Sequence, residues 1–500
     1  MLTFTYTAGL GLQGQPPENN NWLRNAGGSP LHHRALRGSN EYIPITSSEA
    51  SPGGLGACPQ LVTLTAHAGS RSRPDIYSLH GTIFILIQQA EEVTGMKVVV
   101  EGCCHGQLNS IYDEISRRYG SVDLVLICGD FQAMRNEQDL NCMACPPKYR
   151  AMGDFRQYHT GERKAPYLTI VIGGNHESSC YMQELFYGGW LAPNIYYLGA
   201  AGVVQFRGLR VGGLSGIYNP HSFDKPHYER VPYDRNAERS VFHVRRTEVQ
   251  RLALIRERMD VMMSHDWPAG IDQYGNLNWL LKAKPFFKAD IEKGMLGSPP
   301  AMELLKTIKP AYWFSAHLHV RYPALYTHDA KAKINEDEIE LDLDDGNPDE
   351  ITLDENPDQI DLDLEAEVDE TPPTPTGYPR TSFLALDKCL PRRKFLELIN
   401  IDVDQPDQPL SYDPEWLAIL RATHKTNTDL FNQIDIELKW INSNISDLKI
   451  PDNFKQLTKP LNELAEETNI PPSQLRTYQP QMQNNNQTDA FCNLIEIKTD

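Results

Sequence analysis

The chain has 500 residues, room for two to four structural units or for one large α/β domain with tails. A hydrophobic content of 40% is low for a wholly globular chain, and the longest apolar run, near Ile83, is far too short to span a bilayer. A formal net charge of −19 would exclude a nucleic-acid partner only if it were spread evenly; nine cysteines without framework spacing speak against a disulfide scaffold and for free thiols in a reducing compartment.

The first residues, "MLTFTYTAGLGLQGQPP", lack a basic start and a long apolar stretch, so no secretory signal is expected and the protein should be soluble and intracellular. Residues 1–95 are rich in Gly, Ser, Pro and Asn, with little periodicity, and form a low-order extension. Met96 opens a clean strand. Two readings of the extension stay open: a functional arm, or sequence upstream of the true start.

From Met96 to His328 the pattern changes. "MKVVVEG" and "VDLVLICGD" are apolar runs of strand length, and "LNSIYDEISRRYG" between them has helical spacing. "YLTIVIGGNHE", "LRVGGLSGIY", "RMDVMMSHDW" and "AYWFSAHLHV" repeat an apolar strand followed by polar residues. Apolar runs without alternation suit strands buried on both faces, as in an α/β sheet between helices. Function in such folds gathers at the strand ends.

Residues 329–376 form an acidic insertion with prolines that cannot bury a core. It carries about −17 of the charge, whereas residues 96–328 sum to roughly +4, so the acidic total does not exclude RNA as a partner of the catalytic region. It reads as a solvated linker, with an RNA-mimicking or regulatory arm as the other reading. Residues 377–405 resume strand patterning and should complete the sheet. Residues 406–500, with "DPEWLAILRATH", "IDIELKWIN" and a "NNNQ" run, should form a small helical C-terminal domain with a loose end.

The strand ends carry Cys103 and His105, Asp130, Asn175 and His176, His265, and His317 and His319. A parallel sheet would bring these ends to one rim, and Asp, Asn, His and Cys are suitable donors for two divalent ions. Residues i and i+2 of an extended segment point to one side, which pairs Cys103 with His105, sends Cys104 toward packing, and aims His317 and His319 at the same rim. Asp130, with two carboxylate oxygens, can face two ions, which together would clamp a phosphate.

These blocks resemble the calcineurin-like metallophosphoesterases, whose pattern is Asp-x-His, Gly-Asp, Gly-Asn-His, a lone His and Gly-His-x-His. Two positions depart: Cys103 replaces the first aspartate, and Ala316 stands where glycine is usual. Together with "GCCHG", "GDFQA", "CPPKYR", "GGWLAPNIYYLG", "SHDWP", "SAHLHV" and "LALDKCLPRRKFL", they resemble the RNA lariat debranching enzymes over about Met96 to Asp402, excluding the acidic insertion. "DPEWLAILRAT" and "QTDAFC" extend the likeness toward the C-terminus.

The resemblance implies a metallophosphoesterase-type α/β fold, a β-sandwich flanked by helices with a small C-terminal domain. It implies a first metal pocket of Cys103, His105, Asp130 and His319, and a second of Asp130, Asn175, His265 and His317. His176 would protonate the leaving group during hydrolysis of the 2′,5′-phosphodiester of excised intron lariats. The soft Cys103 thiolate favours Fe²⁺ or Zn²⁺, with Mn²⁺ also expected to support activity.

The segment 140–166 mixes basic and aromatic residues that can hold phosphates and stack on unpaired bases; the resemblance implies a lariat-recognition loop, with Lys148, Tyr149 and Arg150 as RNA contacts, and an ordinary surface loop is the other reading. Cys142 and Cys145 have zinc-ligand spacing but no second pair at ribbon distance, so free thiols are preferred. "KCLPRRKF" is either a basic cluster that touches RNA or aids nuclear import, or a solvated turn. The nucleus is the expected location, with the cytoplasm second; no membrane partner is expected. Two competing functions are a same-fold phosphoesterase with another substrate and a catalytically silent RNA-binding scaffold. The long basic-aromatic loop and the ligand-competent Cys103 weigh against both.

Overall fold

The computed structural model describes residues 95–328, 377–425 and 429–498. The N-terminal extension (1–94) and the acidic insertion (329–376) lie outside the described residues. In chain order the strands are β1 (Met96–Glu101), β2 (Leu124–Ile127), β3 (Thr169–Val171), β4 (Gly189–Ala192), β5 (Ile195–Tyr197), β6 (Ala201–Phe206), β7 (Leu209–Leu214), β8 (Val261–Ser264), β9 (Tyr312–Ser315), β10 (Tyr322–Thr327), β11 (Arg380–Ala385), β12 (Leu396–Ile401) and β13 (Ser411–Tyr412).

They build two mixed sheets rather than one parallel sheet. The first has the order β12-β1-β2-β3-β5-β4, the second β10-β11-β9-β8-β7-β6-β13. In the first, β1, β2, β3 and β5 run parallel, and β12 and β4 are antiparallel edges. In the second, β7, β8, β9 and β11 are parallel, flanked by antiparallel β6 and β10.

Residue parity separates the layers. Val98 and Val100 of β1 and Leu124 and Leu126 of β2 meet Val211, Val261, Met263 and Phe314 of the second sheet in one buried cluster. Val99, Val125 and Ile127 face outward onto Ile111 and Ile115 of the helix Leu108–Tyr119. Met262, Trp313 and Phe383 turn outward onto the helices Arg246–Ala253, Pro299–Ile308 and Pro414–Lys425. Every central strand is therefore covered on both faces, which is why its sequence is apolar without alternation.

The helices of the C-terminal region pack onto the second sheet. Trp416, Leu417, Ile419 and Leu420 lie in the same core as Trp313 and Met262. Buried Arg210 of β7 bonds Asp413 at 2.7 Å and Glu415 at 3.1 Å. The "NNNQ" run, expected to be loose, starts the helix Asn486–Leu494: the Asn485 side chain accepts from the Gln487 amide. The buried Gln487 carboxamide spans the β4 edge, accepting from Trp190 N at 2.7 Å and donating to Trp190 O at 2.9 Å. Among the described residues no helix is long and apolar enough to cross a membrane.

Candidate metal centre

The strand ends of both sheets meet at one rim. β1, β2 and β3 of the first sheet lead to Cys103 and His105, to Asp130, and to Asn175 and His176. β8 and β9 of the second lead to His265 and to His317 and His319. Alternation presumes extended backbone at these residues, and the backbone is not extended there. β1 ends at Glu101, and His105, Asp130, His317 and His319 all have left-handed backbones, with φ of 45°, 47°, 58° and 51°. A left-handed backbone is an uncommon conformation for a residue with a Cβ. Cys104 is fully buried among Leu108, Ile111 and Tyr112, apart from the cluster that holds Cys103.

The donor atoms of Cys103, His105, Asp130 and His319 all lie within 4.8 Å of one another. His105 Nε2 is 3.1 Å from His319 Nε2 and 3.6 Å from Asp130 Oδ2. The other oxygen, Asp130 Oδ1, is 3.4 Å from His265 Nε2 and accepts the His176 amide at 2.8 Å. His265 Nδ1 lies 2.7 Å from the Cys128 carbonyl, which can only accept, so the proton is on Nδ1 and the Nε2 lone pair is free. That lone pair faces Asn175 Oδ1 at 3.2 Å. The His317 ring packs beside His265, with centroids 5.0 Å apart. Asp130 thus divides two donor groups, one on each oxygen, and His319 and His317 fall on opposite sides.

Lone pairs that converge at such distances repel unless a cation lies among them, so these residues fit divalent ions. The electrostatics agree. Burial lowers the His105 imidazole below its usual value, and burial with His105 and Lys388 pushes His319 down to about 3. Burial pushes His265 down to about 4. All three imidazoles are therefore neutral donors at pH 7. Burial opposes ionisation of Asp130, but His265, His105 and His176 outweigh it and hold the carboxyl well below the usual range. Burial, Asp130 and Glu101 push the Cys103 thiol up, against the His317 amide that donates to its Sγ at 3.2 Å. Without a cation this cysteine stays protonated.

Three supports escaped the sequence reading. Glu177, next to His176, accepts amide protons from Phe131 at 2.7 Å, Gln132 at 2.8 Å and Gly174 at 2.9 Å, tying the Asp130 and Asn175 loops together. Burial, then Asp130, pushes its carboxyl up to about 8. Gln132 lies 3.4 Å from His105 Nδ1 and orients that ring. Gly174 is required by close approach: a Cβ there would fall 2.3 Å from Asp130 Oδ1. The "GNHE" run was legible, but nothing marked its glutamate as a brace.

The loop 140–166 docks on the same turn as His105. Asp154 N donates to Gly106 O at 2.9 Å, and its carboxylate accepts from Asn109 N at 3.0 Å. Tyr149 is 66% exposed, with Lys148 Nζ 4.7 Å from its ring centre. Arg150 is engaged with Glu238 and donates to the Cys145 carbonyl at 2.9 Å, so of the three expected contacts it is the one already held. Cys142 is buried in a small cluster with Cys180 and Tyr233.

The family described as "Lariat debranching enzyme, C-terminal domain" matches residues 378–500, and "Calcineurin-like phosphoesterase" matches residues 96–321. The chain is 49% identical to the lariat debranching enzyme of Homo sapiens over 66% of its own length and 54% of that protein. It is 44% identical to that of Drosophila melanogaster over 80% of this chain and 78% of the relative. With that of Arabidopsis thaliana it shares 41% identity over 70% and 76%. The chain spans about half the length of the human and Xenopus laevis relatives it matches. By the two family matches and the coverage of the insect and plant relatives, the chain belongs to the lariat debranching enzymes, on a calcineurin-like phosphoesterase fold.

Proposed function

We propose that the protein hydrolyses the 2′,5′-phosphodiester at the branch nucleotide of lariat RNA, giving linear RNA for turnover after splicing. The observation that carries the proposal is the division of donors about Asp130, with Cys103, His105 and His319 on one oxygen and His265 and Asn175 on the other. Two divalent ions held there would neutralise the phosphate and lower the pKa of a water toward neutrality. The Cys103 thiolate favours Fe²⁺ or Zn²⁺, and Mn²⁺ should also support turnover.

The remaining steps belong to side chains of the chain. The new bond forms between the water oxygen and phosphorus, the bond from phosphorus to the 2′ oxygen breaks, and that oxygen takes a proton. His176 is the donor: its amide is anchored on Asp130 Oδ1, and its ring lies beside His105, with centroids 5.9 Å apart. The products are a free 2′-hydroxyl and a 5′-phosphate on linear RNA. Lys148 and Tyr149, exposed on the long loop, serve as RNA contacts, and Arg150 braces that loop through Glu238. With such a substrate the location we propose is the nucleus, with the cytoplasm second.

The test is a synthetic branched RNA beside a linear 3′,5′ control, offered with Fe²⁺, Zn²⁺, Mn²⁺ and Mg²⁺ in turn. Selective cleavage of the branch is expected. Equal cleavage of both linkages, or none with any metal, would overturn the proposal.

A further inference from the structure

Over most of their extent the two sheets face each other across a filled core, but at one margin they part. There the edge strands β10 and β12 flank a groove of about 490 Å³. Register fixes its floor. Leu325 pairs with Ser382 and Pro323 with Leu384, and those partners lie beside Tyr312 and Phe314 of β9. Residues paired in this way share a face. Ile399 of β12 closes the other side from the first sheet. Leu325 stands 48% exposed on this floor.

The two ends of the groove differ. Toward the metal rim, the Arg321 guanidinium donates to the Glu397 carboxylate at 3.0 and 2.9 Å and joins the two sheets. At the far end Arg380 pairs with Thr327, so it falls on the same face as Ser382 and Leu384. Arg380 is exposed, and among the described residues no carboxylate pairs with it. An apolar floor that ends in an unpaired cation suits an aliphatic chain that carries negative charge.

Such a chain starts at the end of the groove itself. β10 stops at Thr327, β11 begins at Arg380, and the acidic insertion 329–376 lies between them in sequence. Two of its runs, "IELDL" (339–343) and "IDLDL" (360–364), alternate aliphatic and acidic residues. In an extended segment this alternation puts Ile and Leu on one face and the carboxylates on the other. Residues 328–338 separate Thr327 from the first run and can span about 40 Å, twice the roughly 20 Å of a strand as long as β10. A tether of that length keeps either run at an effective concentration in the millimolar range, far above that of a second chain in dilute solution.

We propose that the groove between β10 and β12 is the docking surface of the chain's own acidic insertion. The aliphatic side of 339–343 or 360–364 lies on Leu325, Leu384 and Ile399, and its carboxylates face water and Arg380. The docked segment covers the open margins of both sheets, where an uncovered strand edge invites pairing with another chain.

The test uses the full chain. A photoreactive p-benzoylphenylalanine in place of Leu325 should crosslink, within one chain, to residues of 339–343 or 360–364, as read by mass spectrometry of the digest. Hydrogen exchange is the second readout: Leu325→Asp should speed exchange of one of these runs on the order of tenfold. The double variant Leu341→Ser/Leu362→Ser changes no residue of the sheets and should abolish the crosslink when combined with the probe. Crosslinks that join two copies of the chain would overturn the proposal and assign the face to a second copy. No crosslink to the insertion, or exchange of both runs in the parent chain as fast as in the isolated peptides, would also overturn it. Neither readout uses RNA cleavage, so the outcome is independent of the debranching function.

Discussion

At the scale of single residues, the adjacent cysteines have opposite consequences. Cys103 Sγ faces the His105–Asp130–His319 group, whereas Cys104 is enclosed by apolar side chains. Cys103→Asp should keep metal but shift the preference from Fe²⁺ and Zn²⁺ toward Mn²⁺ and Mg²⁺. Cys104→Ser should leave metal content unchanged and cost about 1–2 kcal/mol for a hydroxyl in an apolar site. Metal analysis and thermal unfolding separate the two, and equal loss of metal in both would refute the assignment. His176→Ala is expected to reduce turnover about 10²- to 10⁴-fold with metal content near normal, because the donors around Asp130 remain. Full turnover in this variant would remove His176 from the proton transfer. The identities of the donors were legible in the sequence because Cys, Asp, Asn and His recurred after apolar strands. Their convergence at one rim was expected from the strand ends, but the left-handed backbones at His105 and His317 were not, since such a conformation leaves no mark in a pattern of apolar and polar residues.

At the scale of elements, the long strands β1, β7 and β11 were readable from periodicity, but the short β4 and β5 were not, each depending on the partner it pairs with. The loop 140–166 was read as basic and aromatic, yet much of it is structural. His159, in its helix Phe155–His159, is buried among Phe155, Tyr181 and Phe454, with ring centroids 5.6–6.0 Å away. Burial, then Arg135, pushes His159 down to about 4, from about 6.5 in an unfolded chain. The unfolded chain therefore takes up the proton first as pH falls. The stability is fully present above about pH 6.5 and is lost as pH drops toward 4, by up to roughly 3 kcal/mol. His159→Phe should flatten this slope in melting temperature measured from pH 7 to 4, and an unchanged slope would show that another group controls it.

At the scale of the whole molecule, the sequence suggested a catalytic domain followed by a helical appendage. In the fold β11 and β12 enter different sheets, and the helix Pro414–Lys425 shares a core with β8 and β9. Chain order concealed this, because nothing in an amphipathic pattern names the surface that it covers. Burying four large side chains, Trp416, Leu417, Ile419 and Leu420, contributes about 6–12 kcal/mol, comparable to the whole stability of a typical domain. A chain ending at residue 405 should therefore lose its cooperative thermal transition. A sharp melt near that of the full chain would establish the C-terminal residues as separable.

The seam between Gly106 and Gly153 has one further consequence. A Cβ on Gly153 would stand 2.9 Å from the Gly106 Cα, so the two main chains touch with no side chain between them. The long loop and the turn of His105 have no cushion to absorb a displacement. A single methyl group at Gly153 would therefore press the loop against the turn of His105 without altering any donor atom.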